Sequence, residues 1–311
     1  MRAIASYILR GKASAVLVAC GFGVLSLMLP PLSWPAAFFS GAALALVILV
    51  KGPKEGIQTA ILAVAAMLAL TGIAIKAPML GMIYAIMLWL PVLLLAEVLR
   101  QQRSLAMALI SALILACVVV IGVYVVMDNP TLWWRLHIQQ QVIPMLKQAG
   151  LSGPQLPKGE QALNAIARIM TGSLVSFWLL GLCLTAILSR WWQAIAMNRP
   201  TAYREEFYQL RFGTLVSGIA LLCIAGAFLT EGLLAEVLQN LSILILAVFL
   251  FQGLSVMHQR LGRQKNARIW LIAMYALLVL TLPYLLMTIA ITGWLDNWVN
   301  IRGRGSNKSS A

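Results

Sequence analysis

Apolar runs long enough to cross a bilayer recur along this chain, separated by short connectors of arginine, lysine, proline and glycine. A helix crossing a hydrocarbon core of about 30 Å needs roughly 20 residues, fewer where its flanks snorkel. Nine segments answer to that description: 13–29, 36–50, 57–75, 79–98, 105–126, 165–189, 214–230, 233–257 and 270–291. Backbone groups in hydrocarbon must pair within their own segment, so runs of this length fold as helices. The expected fold is all-α: a polytopic bundle of transmembrane helices forming one integral-membrane domain over 1–311.

Charge orients the bundle. Only 10% of residues are charged against 61% hydrophobic, where a soluble domain carries about a quarter charged. A formal charge of +14 on a soluble chain would suggest a nucleic-acid partner. Here the cations sit in connectors, as in a multi-pass protein with its basic loops in the cytoplasm, and no nucleic acid is expected. With the N-terminus cytoplasmic, the inner connectors hold Arg2, Arg10, Lys12, Lys51, Lys54, Arg100 and Arg103. They also hold Arg190, Arg199, Arg204, Arg211, Arg260, Arg263, Lys265 and Arg268. Lys76, Arg135, Lys147, Lys158 and Arg168 fall outside. Fifteen against five places the N-terminus inside. The polar tail, 295–311, conflicts with this, because nine full spans would export Arg302 and Arg304. Pro283 offers an alternative, splitting the last run into two half-helices that return the tail inward and leaving eight spans plus a broken segment. The balance leans to nine full spans.

Motifs for chemistry are missing from the sequence. Cys20, Cys117, Cys183 and Cys223 lie inside apolar runs without metal-ligand spacing and read as small hydrophobes. The run from Ala13 has no cleavage site behind it and reads as a retained first helix. The two histidines, His137 and His258, fall on opposite sides of the membrane. HExxH, GxSxG, Walker and GxGxxG patterns do not occur. No catalytic residue, cofactor or metal is expected.

Three polar features remain. Outside the membrane, 128–160 starts a helix at Asn129-Pro130, with Trp134, Ile138, Val142, Met145 and Ala149 at helical spacing. It reads as an amphipathic connector on the outer leaflet, bent or ended near Pro144. Glu236 and Asn240 share a helix face near the outer boundary, with Gln252 further down, as candidate solute-pathway residues. Glu236 also reads as a plain interfacial carboxylate, and Glu97 as the local partner of Arg100.

The third feature is 190–213, RWWQAIAMNRPTAYREEFYQLRFG, a cytoplasmic interfacial loop. Its spacing predicts that the sixth helix continues through Trp191 and Trp192 at headgroup level, ends at Asn198-Arg199-Pro200, and gives way to a short helix from Thr201. Glu205 and Glu206 stand in its early turns, and Tyr203, Phe207 and Leu210 form an apolar edge. Arg190-Trp191-Trp192-Gln193, Asn198, Pro200, Arg204-Glu205-Glu206-Phe207 and Leu210-Arg211 together resemble the corresponding loop of proteobacterial members of the YybS-like family, bacterial membrane proteins grouped as a domain of unknown function. Gly293-Trp294-Leu295-Asp296, Trp298 and Arg302 resemble that family's closing pattern, so Asp296 and Arg302 form a tail motif. The resemblance spans nearly the whole chain. It departs at Arg199-Pro200-Thr201-Ala202, where a glycine-containing turn is expected.

That resemblance implies a bacterial inner-membrane protein with some likeness to the substrate-capturing subunits of energy-coupling-factor vitamin transporters, in which small residues four apart on the first helix contact a partner. Ala15, Ala19 and Gly23 have that spacing, as do Gly41/Ala45, Ala65/Ala69, Gly172/Ser176 and Gly213/Ser217, and it signals close helix packing generally. The function expected is non-enzymatic. The chain would act through the lipid bilayer and a membrane or cytoplasmic protein partner, as a solute-binding subunit or a membrane organiser. Arg190, Trp191, Trp192, Asn198, Pro200, Arg204, Glu205, Glu206, Phe207 and Arg211 are the candidate docking or interfacial residues. The alternative is a self-contained secondary transporter of a small solute.

Overall fold

Proline and glycine set the helix boundaries. The computed structural model describes residues 1–148, 160–282, 284–299 and 301–302. Helix α1 covers Arg2–Ile8, α2 Lys12–Met28, α3 Ser33–Lys51 and α4 Pro53–Ala74. Helix α5, Pro78–Tyr84, passes through a π-helical turn at Ala85–Trp89 into α6, Leu90–Gln102, and α7 is Leu105–Val126. Next come α8, Pro130–His137, a second π turn at Ile138–Val142, and α9, Ile143–Gln148. The long α10, Glu160–Ala196, precedes α11, Pro200–Tyr208, and α12, Gly213–Leu229. Finally α13 covers Gly232–Leu261, α14 Ala267–Leu280 and α15 Tyr284–Val299. Pro53, Pro78, Pro130 and Pro200 open their helices, where a missing N–H costs nothing. The described chain is helical and contains no strand.

Six helices are long and apolar enough to cross a membrane, and the bent pair α11–α12 makes a seventh if it counts as one span. Each of the nine apolar segments is helical, but α2 and α14 are shorter than that standard. The last segment is not one helix: it divides at 281–283 into α14 and α15. Pro283 lies outside the described residues. Helix α15 then returns Arg302 to the backbone carbonyls of Tyr208 and Leu210. The last apolar segment therefore forms a closing helical hairpin.

This return defines one end of the bundle. Arg2 donates to Asn198 Oδ1 at 2.5 Å, and Lys12 reaches Gln58 Oε1 at 2.6 Å and Glu55 at 3.7 Å. Gln193 donates to the Leu49 carbonyl at 2.9 Å. These contacts gather the N-terminus, the α3–α4 turn, the 190–213 stretch and Arg302 at a single basic end. Gly52, Arg103, Asn198 and Gly213 turn the chain there with positive φ. Asn198, at φ 56°, takes the left-handed conformation for which glycine is the usual choice and asparagine a tolerated one. It supplies the turn that the missing glycine would have made.

Small residues let the helices approach. Ala15 and Ala19 of α2, Ala42 and Ala43 of α3, and Ala63 of α4 are fully buried. A Cβ on Gly23 would sit 3.2 Å from Met67 Cε, so the Ala15/Ala19/Gly23 stripe is consumed inside the chain. Among the four other small-residue pairs, Ala65/Ala69 is the one whose members are both exposed. Gly253 of α13 lies against the Ile289 carbonyl of α15, and Gly293 of α15 against the Phe249 carbonyl and the Gly253 backbone. There the two helices cross backbone to backbone.

The connector that starts at Asn129-Pro130 is pinned more firmly than a surface-lying helix would be. Trp134 Nε1 donates to Thr171 Oγ1 at 2.9 Å, Thr131 Oγ1 donates to Glu236 at 2.6 Å, and Ile138 is buried. The π turn precedes Pro144, whose ring cannot continue an α-helical ladder. The turn's added residue rotates the following face, and Met145 is 71% exposed instead of continuing the Trp134–Ile138 edge. The side chain of Val142, and Ala149 altogether, lie outside the described residues.

Gly293→Ala places a methyl group against the α13 backbone and forces the helices apart. We expect a loss of about 1–3 kcal/mol, read as a lower thermal midpoint in detergent, while Gly122→Ala, which meets nothing within 4 Å, leaves the midpoint unchanged or higher. Equal midpoints for the two variants would refute the close crossing.

A candidate interfacial site at the basic end of the bundle

Helix α10 runs on past the apolar segment because Trp191, Trp192 and Gln193 find protein partners beyond it. Trp191 is half-buried. Trp192 is fully buried, 5.6 Å from the Phe39 ring, so it packs the helix ends and does not face the headgroups as its sequence position suggests. One turn away, Arg190 Nε donates to Glu206 Oε2 at 2.8 Å and Arg190 Nη1 to Gln193 Oε1 at 2.5 Å. Gln193 passes the chain on to the Leu49 carbonyl in the last turn of α3.

Glu206 has a second role. Its Oε1 accepts from the backbone N–H of Leu105 at 2.9 Å, the first residue of α7. The first N–H groups of a helix have no intrahelical acceptor, and negative charge there is favourable. Glu206 therefore caps α7 from a distance while Ser104 caps it locally. One carboxylate and one guanidinium thus tie α3, α7, α10 and α11 together. With side chains 25% and 19% exposed, the pair is screened far less than a surface ion pair.

A second cluster closes the other side of the loop. Asp296 of α15 is fully buried, and its Oδ2 accepts from Arg302 Nε at 2.9 Å and Gln252 Nε2 at 3.4 Å. Arg211 donates to the Asp296 backbone carbonyl, with its Nε 3.9 Å from the carboxylate. Gln252 Oε1 accepts from the Phe212 N–H at 3.0 Å, and Asn297 Oδ1 from the Gly213 N–H at 3.1 Å, so two side chains cap the start of α12. Burial lowers the Arg302 guanidinium from its ordinary pKa, Asp296 pulls it back up, and arginine stays charged at neutral pH. A buried carboxylate is costly unless paired and hydrogen-bonded; Arg302 and Gln252 satisfy Oδ2, while Oδ1 is buried without a hydrogen-bond partner among the described residues.

Glu236, Asn240 and Gln252 do not form one pathway. Asn240, fully buried near the opposite end of α13, accepts from the Gly172 N–H at 2.5 Å and donates to the Arg168 carbonyl at 2.8 Å. These groups stand four apart in α10, the spacing of a helical hydrogen bond, so the amide bridges a rung of that helix. Glycine is required at 172, where a Cβ would lie 2.6 Å from Asn240 Oδ1. The Tyr124 hydroxyl at 3.0 Å and the Glu236 carbonyl at 2.7 Å also lie within reach of the Asn240 Nδ2 donor. Glu236 pairs with Arg168 at 3.6 Å at the edge of a cavity of about 390 Å3. Between Asn240 and Gln252, Leu244, Ile245, Val248 and Phe249 are buried among apolar neighbours.

The ten residues singled out in 190–213 thus separate by role. Arg190, Trp192, Glu206 and Arg211 face the bundle, and Phe207 packs edge-on to His258 at 5.7 Å. Asn198, Pro200, Arg204 and Glu205 are exposed, on a helix with no buried residue. Leu105, Tyr124, Tyr208 and Asn297 join the polar network without having drawn attention in the sequence. Among the described residues no group of three or more His, Cys, Asp or Glu side chains can hold a metal ion.

The family model described as "Predicted membrane protein (DUF2232)" matches residues 17–297, and the chain belongs to that family. No curated protein and no solved structure matches it.

Glu206→Ala strands the Arg190 guanidinium and uncaps α7. We expect a loss of about 1–3 kcal/mol in thermal unfolding of the purified protein, with Glu205→Ala unchanged. A double variant with Arg190→Ala should cost less than the sum of the single ones; strict additivity would refute the coupling.

Proposed function

We propose that this member of the DUF2232 family is a non-enzymatic membrane protein that acts through a partner docking on its basic end. The observation that carries the reading is the division of labour in α11. Glu206 ties the helix to α7 and α10, while Arg204 and Glu205 are exposed. A short charged helix held rigidly at its root is preorganised for binding and loses little freedom on association. Arg199 and Gln209, also exposed, extend the surface.

On this reading the basic end is cytoplasmic and the membrane is the bacterial inner membrane, in agreement with the excess of cations in those connectors. Eight spans and a closing hairpin bring both termini to that side. The YybS-like relationship and the choice between a solute-binding subunit and a membrane organiser belong to the same proposal. A partner cannot use Ala15, Ala19 and Gly23 in the way the energy-coupling-factor likeness implies, since that stripe is buried against α3 and α4. The second reading, a self-contained transporter, draws on the polar cavity beside Glu236 and Arg168; uptake by reconstituted protein that ignores Glu236→Gln would remove it.

A photo-crosslinking residue at Glu205 should yield a discrete protein adduct in intact cells, and one at Glu231, exposed at the opposite end, should not give the same adduct. Absence of any adduct from Thr201, Arg204 and Glu205 alike would overturn the docking role.

A further inference from the structure

Beneath α11 lies a cavity of about 370 Å3 enclosed by α10, α11, α13 and α14. Its mouth at the basic end is aromatic and polar, formed by Tyr203, Arg204, Tyr208, His258 and Tyr275. Its floor is apolar, formed by Leu184, Ile187, Phe251 and Leu254. A second cavity of about 360 Å3 shares Leu184, Ile187 and Tyr203 with the first and continues past Leu188 to Phe38 and Phe39 of α3. The two cavities adjoin at these shared residues, polar toward the basic end and apolar beyond it.

Two observations say what such a pair of cavities takes. Arg204 donates its Nε to Tyr208 Oη at 3.0 Å and lies over that ring at 5.2 Å. It forms no ion pair among the described residues, and no carboxylate lines either cavity. A guanidinium fixed through Nε, with its outer nitrogens unengaged among the described residues, is suited to a phosphate. The side wall is also loose. Helix α14 buries none of its residues, and it touches α13 here through Tyr275 Oη and His258 Nε2 at 3.3 Å. Leu184 is 38% exposed, so the apolar part opens toward the surrounding lipid.

We infer that this paired cavity is a lateral binding site for an anionic phospholipid, with the phosphate at Arg204 and one acyl chain running past Leu184 toward Phe38. The site is separate from the exposed surface at Glu205, and its test involves no protein partner. The full chain is purified from nanodiscs containing phosphatidylglycerol and phosphatidylcholine, and retained lipid is read by native mass spectrometry. Phosphatidylglycerol adducts are expected in preference to phosphatidylcholine. Arg204→Gln should weaken their retention about tenfold, the scale of one charge-assisted contact. Leu184→Trp, which fills the space where the two cavities adjoin, should abolish it, with helicity by circular dichroism reporting that the variant folds. Glu205→Ala should leave retention unchanged. Equal retention of the two lipids, or retention indifferent to Arg204→Gln, overturns the inference. So does displacement of the lipid by inorganic phosphate, which would mark a free-anion site. Loss of the crosslinked adduct at Glu205 has no bearing on these results.

Discussion

Polar groups inside a bilayer must find partners within the protein, and α13 carries the side chains around which this bundle satisfies that demand. Asn240 near one end bridges a rung of α10, and Gln252 toward the other holds the start of α12 and the Asp296 carboxylate. Gly253, next to Gln252, admits the backbone of α15. Each contact works because a neighbour is small or offers a backbone group. Gly172 faces Asn240, Gly293 faces Phe249, and the Phe212 N–H has no helical acceptor of its own. Lipid supplies no hydrophobic drive for helix association, so close approach and hydrogen bonding decide the arrangement.

Much of the fold was legible in the chain because the relevant signals are local. Apolar runs located the helices, Asn129-Pro130 marked the start of α8, and the aromatic extension of α10 and the short α11 followed from spacing and turn residues. Gln252, Arg211, Asp296 and Arg302 were each visible as polar residues at the edge of apolar segments. Their meeting was not, since Gln252 and Asp296 lie 44 residues apart, Glu206 and Leu105 101, and Gln193 and Leu49 144. A carboxylate capping a distant helix leaves no periodic trace. Trp192 shows the opposite error: a tryptophan at the end of a span suggests an interfacial anchor, yet α1, α2 and α3 reach far enough to cover it. The π turn before Pro144 likewise shifts a face that simple helical counting carries straight through.

The stretch 190–213 gains a different meaning once these contacts are known. Its charge is divided between residues that fasten the bundle and residues that stand clear of it, and the two sets alternate along one short helix. Glu206 faces inward and Glu205 outward because adjacent helical positions differ by about 100°. The exposed side chains of α11 have their orientation fixed by the fold, because Glu206 joins the helix to α7 and α10. This also ties display to folding, so that losing Glu206 would disturb a surface that Glu206 does not itself form.

The closing hairpin completes the argument from charge. Counting apolar segments gives an odd number of crossings and sends Arg302 away from the other cations. With the last segment divided into α14 and α15, Arg302 instead reaches the carbonyls of Tyr208 and Leu210. The guanidinium then serves two needs, neutralising the buried Asp296 carboxylate and occupying backbone acceptors that the end of α11 leaves open. The hairpin and the loop stabilise each other: without Arg302 the loop loses a cation at its centre, and without the loop Arg302 loses the Tyr208 and Leu210 carbonyls that hold it beside Asp296. This mutual dependence accounts for polar residues so far apart in sequence forming one cluster at one end of the bundle.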